Sequence, residues 1–507
     1  MFDPDRLGRH LTATGPSTEL TSPGDGRRIA TVPTSLPADI SRAAATARAA
    51  QPDWAARDVR QRAALLLAFH DRLLDRRDEF VDLIQLEAGK SRLSAVEETL
   101  HVALTARYYA RTAERYLRAE RGSGLFPVLT RVDRNLLPKG LIGVIGPWNY
   151  PLTMSVSDAL TALVAGNAVL IKPDAQTPLS TLAAGEVLAD CGLPGELWQV
   201  VNGPGPEVGP ALIDAVDYVC FTGSTATGRR VGAQCAERLI GCSLELGGKN
   251  PLLVLDDADL GRAVPGAVRA CFANAGQLCV SIERLYVDRG RWAEFTAAFV
   301  ARTAALRLGT SGFDSDLGCL ISRRQLERVE AHVTDARARG ATVLTGGRSR
   351  PDLGPLFYEP TVLTGVTPEM ACYAAETFGP VVSLYPVDDE AEAIARANDS
   401  PYGLNASVWT ADPARGRRVA AAIACGTVNV NEGFAATFGS LDAPMGGMKS
   451  SGLGRRQGRE GIRRFVDVQA VATQTGLPLA PIGPLNARRF TGAVTGAMRL
   501  MRRLGRP

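Results

Sequence analysis

Apolar residues recur at helical spacing over residues 38–118, where Leu65, Leu66, Phe69 and Leu73 share a face and Ala, Leu, Arg and Glu dominate. That spacing predicts a helical entry region. A glycine and proline break follows at 122–127, and then VLTRVDRNLLPKG alternates apolar and polar positions, as an exposed strand or hairpin does. An arm of this kind suits pairing with another subunit. From 141 to 255 short apolar runs (LIGVI, AVLIK, LWQVV, YVCF, LLVL) alternate with helical stretches at 153–164, 179–190, 208–213 and 226–240. Strands spaced by helices predict a parallel sheet with helices on both faces. A second alternating stretch, 260–431, carries RLYV, TVLTG, VVSLYPV, ASVW and GTVNV and predicts a second α/β lobe. There is no fixed-period repeat and no low-complexity tract.

A chain of 507 residues, 45% hydrophobic and 22% charged, can bury a large core in two or three lobes. The net charge of +4 arises from 57 basic and 53 acidic residues spread along the chain, which does not point to nucleic acid as a partner. No apolar run reaches the ~18 to 20 residues of a bilayer span, and MFDPDRLGRH lacks the apolar core of a signal peptide. The expected location is cytoplasmic. Nine cysteines without a C-x-x-C pair read as thiols in a reducing compartment, with neither zinc nor disulfides suggested. His10, His70, His101 and His332 are far apart and read as surface or structural groups.

Six segments carry candidate chemistry. GPWNYP stands at the carboxyl end of LIGVI, where open parallel sheets bind ligands. There the amide of Asn149 could donate to a developing oxyanion, or Asn149 could simply end the strand. FTGSTATG places Gly223, Ser224 and Gly228 between a strand and a helix, so that backbone N–H groups and the helix dipole could face a phosphate. It is neither G-x-G-x-x-G nor a P-loop, and a tight structural turn explains it as well. LELGGKNP sets Glu245 between Leu244 and Leu246, surroundings that raise a carboxyl's pKa toward that of a general base working near neutrality. NAGQLC supplies Cys279, whose thiol at an ordinary pKa of ~8.5 needs a neighbouring base to act as a nucleophile. Either residue alone is equally a packing or capping group. Glu376 in ETFGPVV could hold ribose hydroxyls, and Lys172 in IKPDAQTP ends a strand from which its ammonium should project toward a nucleotide.

In this order and at these separations the six segments resemble the aldehyde dehydrogenase superfamily, from about residue 31 to 475. The resemblance implies that family's α/β fold: a Rossmann-like cofactor domain (1–121 and 140–246), an α/β catalytic domain (247–440), a β-hairpin oligomerisation arm (122–139 and 455–475) and a basic tail (476–507). It makes Cys279 the nucleophile, Glu245 the base, and Asn149 with the Cys279 N–H the oxyanion donors. Lys172, Ala175, Gly223, Ser224, Leu246 and Glu376 become cofactor contacts, with Trp148 beside the nicotinamide and no metal involved. The phrases ALVAGNAVLIKPD, LIGCSLELGGKNP, GPLFYEPTVLT and SLDAPMGGM further resemble actinobacterial succinate-semialdehyde dehydrogenases of the second type. That likeness implies oxidation of succinate semialdehyde to succinate by a homodimer or homotetramer.

Ala175 replaces the glutamate that NAD-selective relatives carry three positions after the sheet-edge lysine. NADP is therefore the expected cofactor, with NAD as the second. One departure bears on the substrate. The two arginines that hold the distal carboxylate in better-known succinate-semialdehyde dehydrogenases are Ser157 and Ala273 here. Either another cation takes over, Arg284 or one from a loop, or the substrate is a less charged aldehyde handled with broad specificity. A catalytically silent nucleotide-binding protein would have no use for Asn149, Glu245 and Cys279 together, and a phosphorylating dehydrogenase usually lacks Glu245. The tail holds Arg488, Arg489, Arg499, Arg502, Arg503 and Arg506 beside an apolar stripe of Phe490, Val494, Ala497, Met501 and Leu504. It is expected to pack on the enzyme or a neighbouring subunit rather than lie on an anionic membrane, since Gly492 and Gly496 weaken the helix.

Overall fold

The structure, a computed structural model, describes residues 2–125, 129–475, 480–481 and 486–505. Two sheets organise the chain. The first has six strands in the spatial order Gly452–Leu453, Gly241–Glu245, Tyr218–Thr222, Leu141–Ile145, Ala168–Lys172 and Trp198–Val200. All neighbours are parallel except the edge strand Gly452–Leu453. The runs LIGVI and AVLIK are buried at every position because helices cover both faces. One of these helices, Pro151–Val164, is itself buried throughout. Strand Leu141–Ile145 has its successor Ala168–Lys172 on one side and Tyr218–Thr222 on the other. The strand order therefore reverses beside it, and the crevice at the carboxyl ends there is the ligand position of open α/β sheets.

Two assignments change. LLVL does not belong to this sheet. It forms the strand Asn250–Val254, paired with Ile282–Asp288 and Asn405–Trp409 in the second sheet. Its place in the first sheet is taken by Gly241–Glu245, whose GCSLE sequence is too poor in β-branched residues to announce a strand. The second sheet has seven strands, ordered Thr342–Thr345, Thr361–Thr364, Val381–Val387, Ile282–Asp288, Asn250–Val254, Asn405–Trp409 and Thr427–Val430. The phrase TVLT occurs twice, and its two copies pair with one another antiparallel at the sheet's edge.

Strand Thr130–Pro138 pairs along its whole length with Val466–Gln474, and at 132–134 with Glu120–Gly122. Gly122 thus closes a strand instead of opening the break, and Phe126, Pro127 and Val128 lie outside the described residues. An N-terminal hairpin, Ser17–Thr21 with Arg28–Pro33, went unread in the sequence. The tail forms the helix Ala487–Arg503, in which no residue is buried, so it does not pack on the body of its own chain. Leu485 and Arg506 lie outside the described residues.

Candidate active site

Glu245 is the last residue of its strand. Its carbonyl accepts from Gly223 N–H (3.0 Å), and it faces Gly452 across the antiparallel edge, while Leu246 N–H donates to Ser451 O (3.0 Å). The backbone of the candidate base is thus fixed from both sides. The segment after it runs under the candidate nucleophile: Asn250 Nδ2 donates to Cys279 O (2.7 Å), and a Cβ on Gly248 would come within 2.9 Å of that same oxygen. Asn149 reaches the same loop, donating through Nδ2 to Gln277 O (3.0 Å) and accepting at its carbonyl from Asn274 Nδ2 (3.2 Å). That loop turns sharply at Asn274 and Ala275, both left-handed. Cys279 packs with Tyr150, Met154, Leu278, Val280, Phe434, Phe438 and Met445, which form an apolar chamber around the half-buried thiol.

The electrostatics suit acid–base work. Burial pushes the Glu245 carboxyl up to about 7, against the partial pull of the Arg456 and Arg464 guanidiniums, and its Oε1 has no hydrogen-bond partner. Burial pushes the Cys279 thiol up to about 12, helped by the Glu245 and Glu376 carboxyls. The thiol is therefore protonated near neutrality and must lose that proton to act as a nucleophile.

At the crevice, Ser224 caps the 13-residue helix Thr225–Glu237 by accepting from Thr227 N–H (3.3 Å), and Ser224 and Ala226 are exposed at its start. Gly228 is required by packing, because a Cβ there would lie 2.3 Å from Leu246 Cδ2. Lys172 departs from expectation. Its ammonium does not project into the open but folds back to donate to Pro173 O (2.8 Å), where burial lowers its pKa. Asp174 accepts from Gln176 N–H (2.9 Å) within its own turn, leaving the half-buried Ala175 beside it.

Glu376 accepts from Gly248 N–H (2.8 Å), and burial pushes its carboxyl up to about 8. A Cβ on Gly247 would lie 2.4 Å from its Oε2, so the glycine pair is the cradle for this side chain. Two contacts hold the ETFG loop there: the buried Lys249–Glu283 ion pair, and Glu283 accepting from Thr377 and Phe378 N–H (3.0 Å each). Trp148 meets Phe378 edge to face at 5.4 Å. A capped helix start for a diphosphate, a lysine, and a carboxyl facing the chamber fit a nicotinamide dinucleotide.

Arg284 is not available to a substrate. Its guanidinium is used up on the carbonyls of Lys249, Arg396, Ala397 and Asp399 and on the Tyr286 hydroxyl. A different charged cluster was missed: Asp158, 2.9 Å from Arg456 and 2.5 Å from Arg464, all three buried. Burial alone would raise the Asp158 carboxyl, but the two guanidiniums outweigh it and hold it below the usual range. The signal was present as one acid in the otherwise uncharged helix PLTMSVSDALTALV, which demands a buried partner.

The aldehyde dehydrogenase family model matches residues 11–471. The chain belongs to that family. A Mycolicibacterium smegmatis protein provisionally named succinate-semialdehyde dehydrogenase (NADP+) is 52% identical over 480 residues, covering 94% of this chain and 93% of its own. Among solved structures, an Escherichia coli NADP-dependent enzyme superposes with a TM-score of 0.87 at 34% identity, covering 90% of this chain and 95% of its own. An NAD+ complex of a Bacillus cereus aldehyde dehydrogenase also gives 0.87 at 34% identity, covering 91% and 94%. This aldehyde dehydrogenase is thus matched along most of its length, through both sheets and every segment of the candidate site.

Proposed function

We propose that this aldehyde dehydrogenase oxidises succinate semialdehyde to succinate with NADP+, through covalent catalysis at Cys279. The observation that carries this reading is the convergence of Asn149, Glu245 and Cys279 on one apolar chamber beside a dinucleotide-type crevice. Cys279 Sγ attacks the carbonyl carbon, and the Asn149 amide with the Cys279 N–H supports the oxyanion, at about 3 to 4 kcal/mol per donor. A bound nicotinamide cofactor would supply the two-electron acceptor for the hydride that leaves the thiohemiacetal carbon. Glu245 then deprotonates a water that attacks the thioester, which frees the acid and the thiol. Trp148, Lys172, Ala175, Gly223, Ser224, Leu246 and Glu376 would hold the cofactor. The substrate and cofactor named for the mycobacterial relative support the same choice. A panel of aldehydes with both cofactors, read by absorbance of the reduced nicotinamide, tests it. A higher kcat/KM for a neutral or aromatic aldehyde would replace succinate semialdehyde with the broad-specificity reading.

NADP+ is expected to give the higher kcat/KM. A glutamate at position 175 would accept from the ribose hydroxyls and repel a 2′-phosphate; Ala175 does neither, and Asp174 is engaged in its own turn. Ala175→Glu should shift the NADP/NAD ratio toward NAD by about tenfold or more. A wild type that prefers NAD would overturn the alanine argument.

The enzyme works as a homodimer or homotetramer in the cytoplasm. Strand Val466–Gln474 supports this, since it is exposed from Asp467 onward and is an edge strand of its sheet. Among the described residues no helix is long and apolar enough to cross a membrane. The helix Ala487–Arg503 continues from that arm and seats its apolar stripe on a neighbouring copy. Truncation after Thr475 should lower the melting temperature or change the oligomeric state, without changing recovery with anionic vesicles. Vesicle binding lost on truncation would assign the helix to a membrane instead.

A further inference from the structure

Beyond Cys279 the chamber continues inward to a cavity of about 20 Å³ bounded by two helices, Arg92–Leu117 and Pro151–Val164, and by the segment carrying Arg456, Gln457 and Arg464. Met154, Met445 and Phe438 line both spaces, so the cavity opens off the wall of the reaction chamber. Its polar lining is unusual in what it leaves unpaired. His101 Nδ1, Ser157 Oγ, Gln457 Oε1 and Arg464 Nε are buried without a hydrogen bond, and each belongs to a side chain at least nine-tenths buried, while Arg456 Nη2 is held by Asp158 at 2.9 Å. Buried polar atoms are rarely left so.

Two of these four atoms serve as donors: Arg464 Nε can do nothing else, and the Ser157 hydroxyl can turn. The His101 ring is held from its other side, where Nε2 lies 3.3 Å from both Phe438 O and Gln457 Nε2. Arg456 also spends Nη1 on the Met154 thioether (2.6 Å), a weak acceptor readily exchanged for a better one.

The charges are unbalanced in the same sense. Two guanidiniums share the carboxylate of Asp158, and the Glu245 carboxyl, pushed up to about 7 by burial, is only about half ionised at neutral pH. The neighbouring Lys90–Glu98 pair is self-neutral. An interior with a net positive charge, lined by the free donors of Arg464 and Ser157, is complementary to a monoanion.

We propose that Arg456, with Ser157 and Arg464, is the receptor for the carboxylate at the far end of the aldehyde substrate. It takes the part that neither Arg284 nor the arginines missing at Ser157 and Ala273 can play. The length agrees: a four-carbon chain spans roughly 4 Å between its end carbons, and one side chain, Met154, separates the Cys279 cluster from Arg456. Met154 and Met445, both unbranched, make room by changing rotamer.

This assignment rests on the substrate reading above, and the test separates the two. The measured quantity is the ratio of kcat/KM for succinate semialdehyde to that for its methyl ester, equal in chain length and uncharged. Wild type should favour the acid. Arg456→Met should lower the ratio by about 10- to 100-fold, chiefly through KM for the acid. Ser157→Ala should lower it by about 3- to 10-fold, so the test survives if the Arg456 variant fails to fold. Inhibition by succinate should weaken in parallel. A selective wild type whose folded variants keep the same ratio would overturn the receptor and leave the substrate reading standing. A wild type indifferent to the charge would overturn both.

Discussion

Cys279→Ala should abolish aldehyde oxidation, lowering turnover by at least about a thousandfold, while NADP+ binds with near wild-type affinity. The thiol makes the only covalent bond to the substrate in the proposed route, and no other side chain in the chamber can replace it. Nine cysteines do not offer a spare: Cys271 and Cys319 are buried away from the chamber, and burial pushes the Cys319 thiol up to about 12. The substitution removes one partly exposed sulfur whose neighbours are apolar, so folding is little disturbed. The proposed cofactor contacts Gly223, Ser224 and Lys172 stand at the carboxyl ends of strands separate from the Cys279 loop. Steady-state rates with fluorescence titration of the nucleotide check both halves. Residual turnover above a few per cent would remove Cys279 from its role.

The site was legible because its chemistry sits in short segments at the carboxyl ends of apolar runs. LIGVI, AVLIK and YVCF announced themselves by continuous burial, and GPWNYP, IKPD and FTGSTATG followed them directly. What stayed hidden depended on pairing across long separations. Strand Gly241–Glu245 has no periodicity of its own and exists because Tyr218–Thr222 and Gly452–Leu453 flank it. LLVL reads as one more strand of the preceding lobe, and only its partners Ile282–Asp288 and Asn405–Trp409 place it in the second sheet.

Direction was equally invisible. Lys172 stands where the sequence put it, yet its ammonium turns back onto Pro173 O. Arg284 was a plausible free cation until four carbonyls and a hydroxyl were found around it. The Asp158, Arg456 and Arg464 cluster joins residues some 300 positions apart, which no window of sequence can connect.

Glu245→Gln should release one equivalent of reduced nicotinamide in a burst and then stall, with steady-state turnover down by about 10² to 10⁴. Acylation needs the thiol and the oxyanion donors, whereas hydrolysis of the thioester needs a base, and glutamine cannot take a proton. The wild-type pH profile should show the same group. Because burial lifts the Glu245 carboxyl from 4.5 to about 7, the ionised base accumulates as pH rises through 7, and deacylation should rise between about pH 6 and 8.

The sign for stability is opposite. A carboxyl whose pKa is raised on folding holds its proton more tightly in the native state, so its stabilising contribution is full below 4.5 and is lost as pH climbs through about 7. Wild type should therefore lose stability over that window where Glu245→Gln, always neutral, loses less. Rapid-quench kinetics give the burst, and thermal melts across pH 4 to 8 give the stability difference. A variant without a burst would place Glu245 earlier, in taking the proton from Cys279. Melting curves that fall equally with pH in both proteins would show that the carboxyl titrates as an ordinary glutamate.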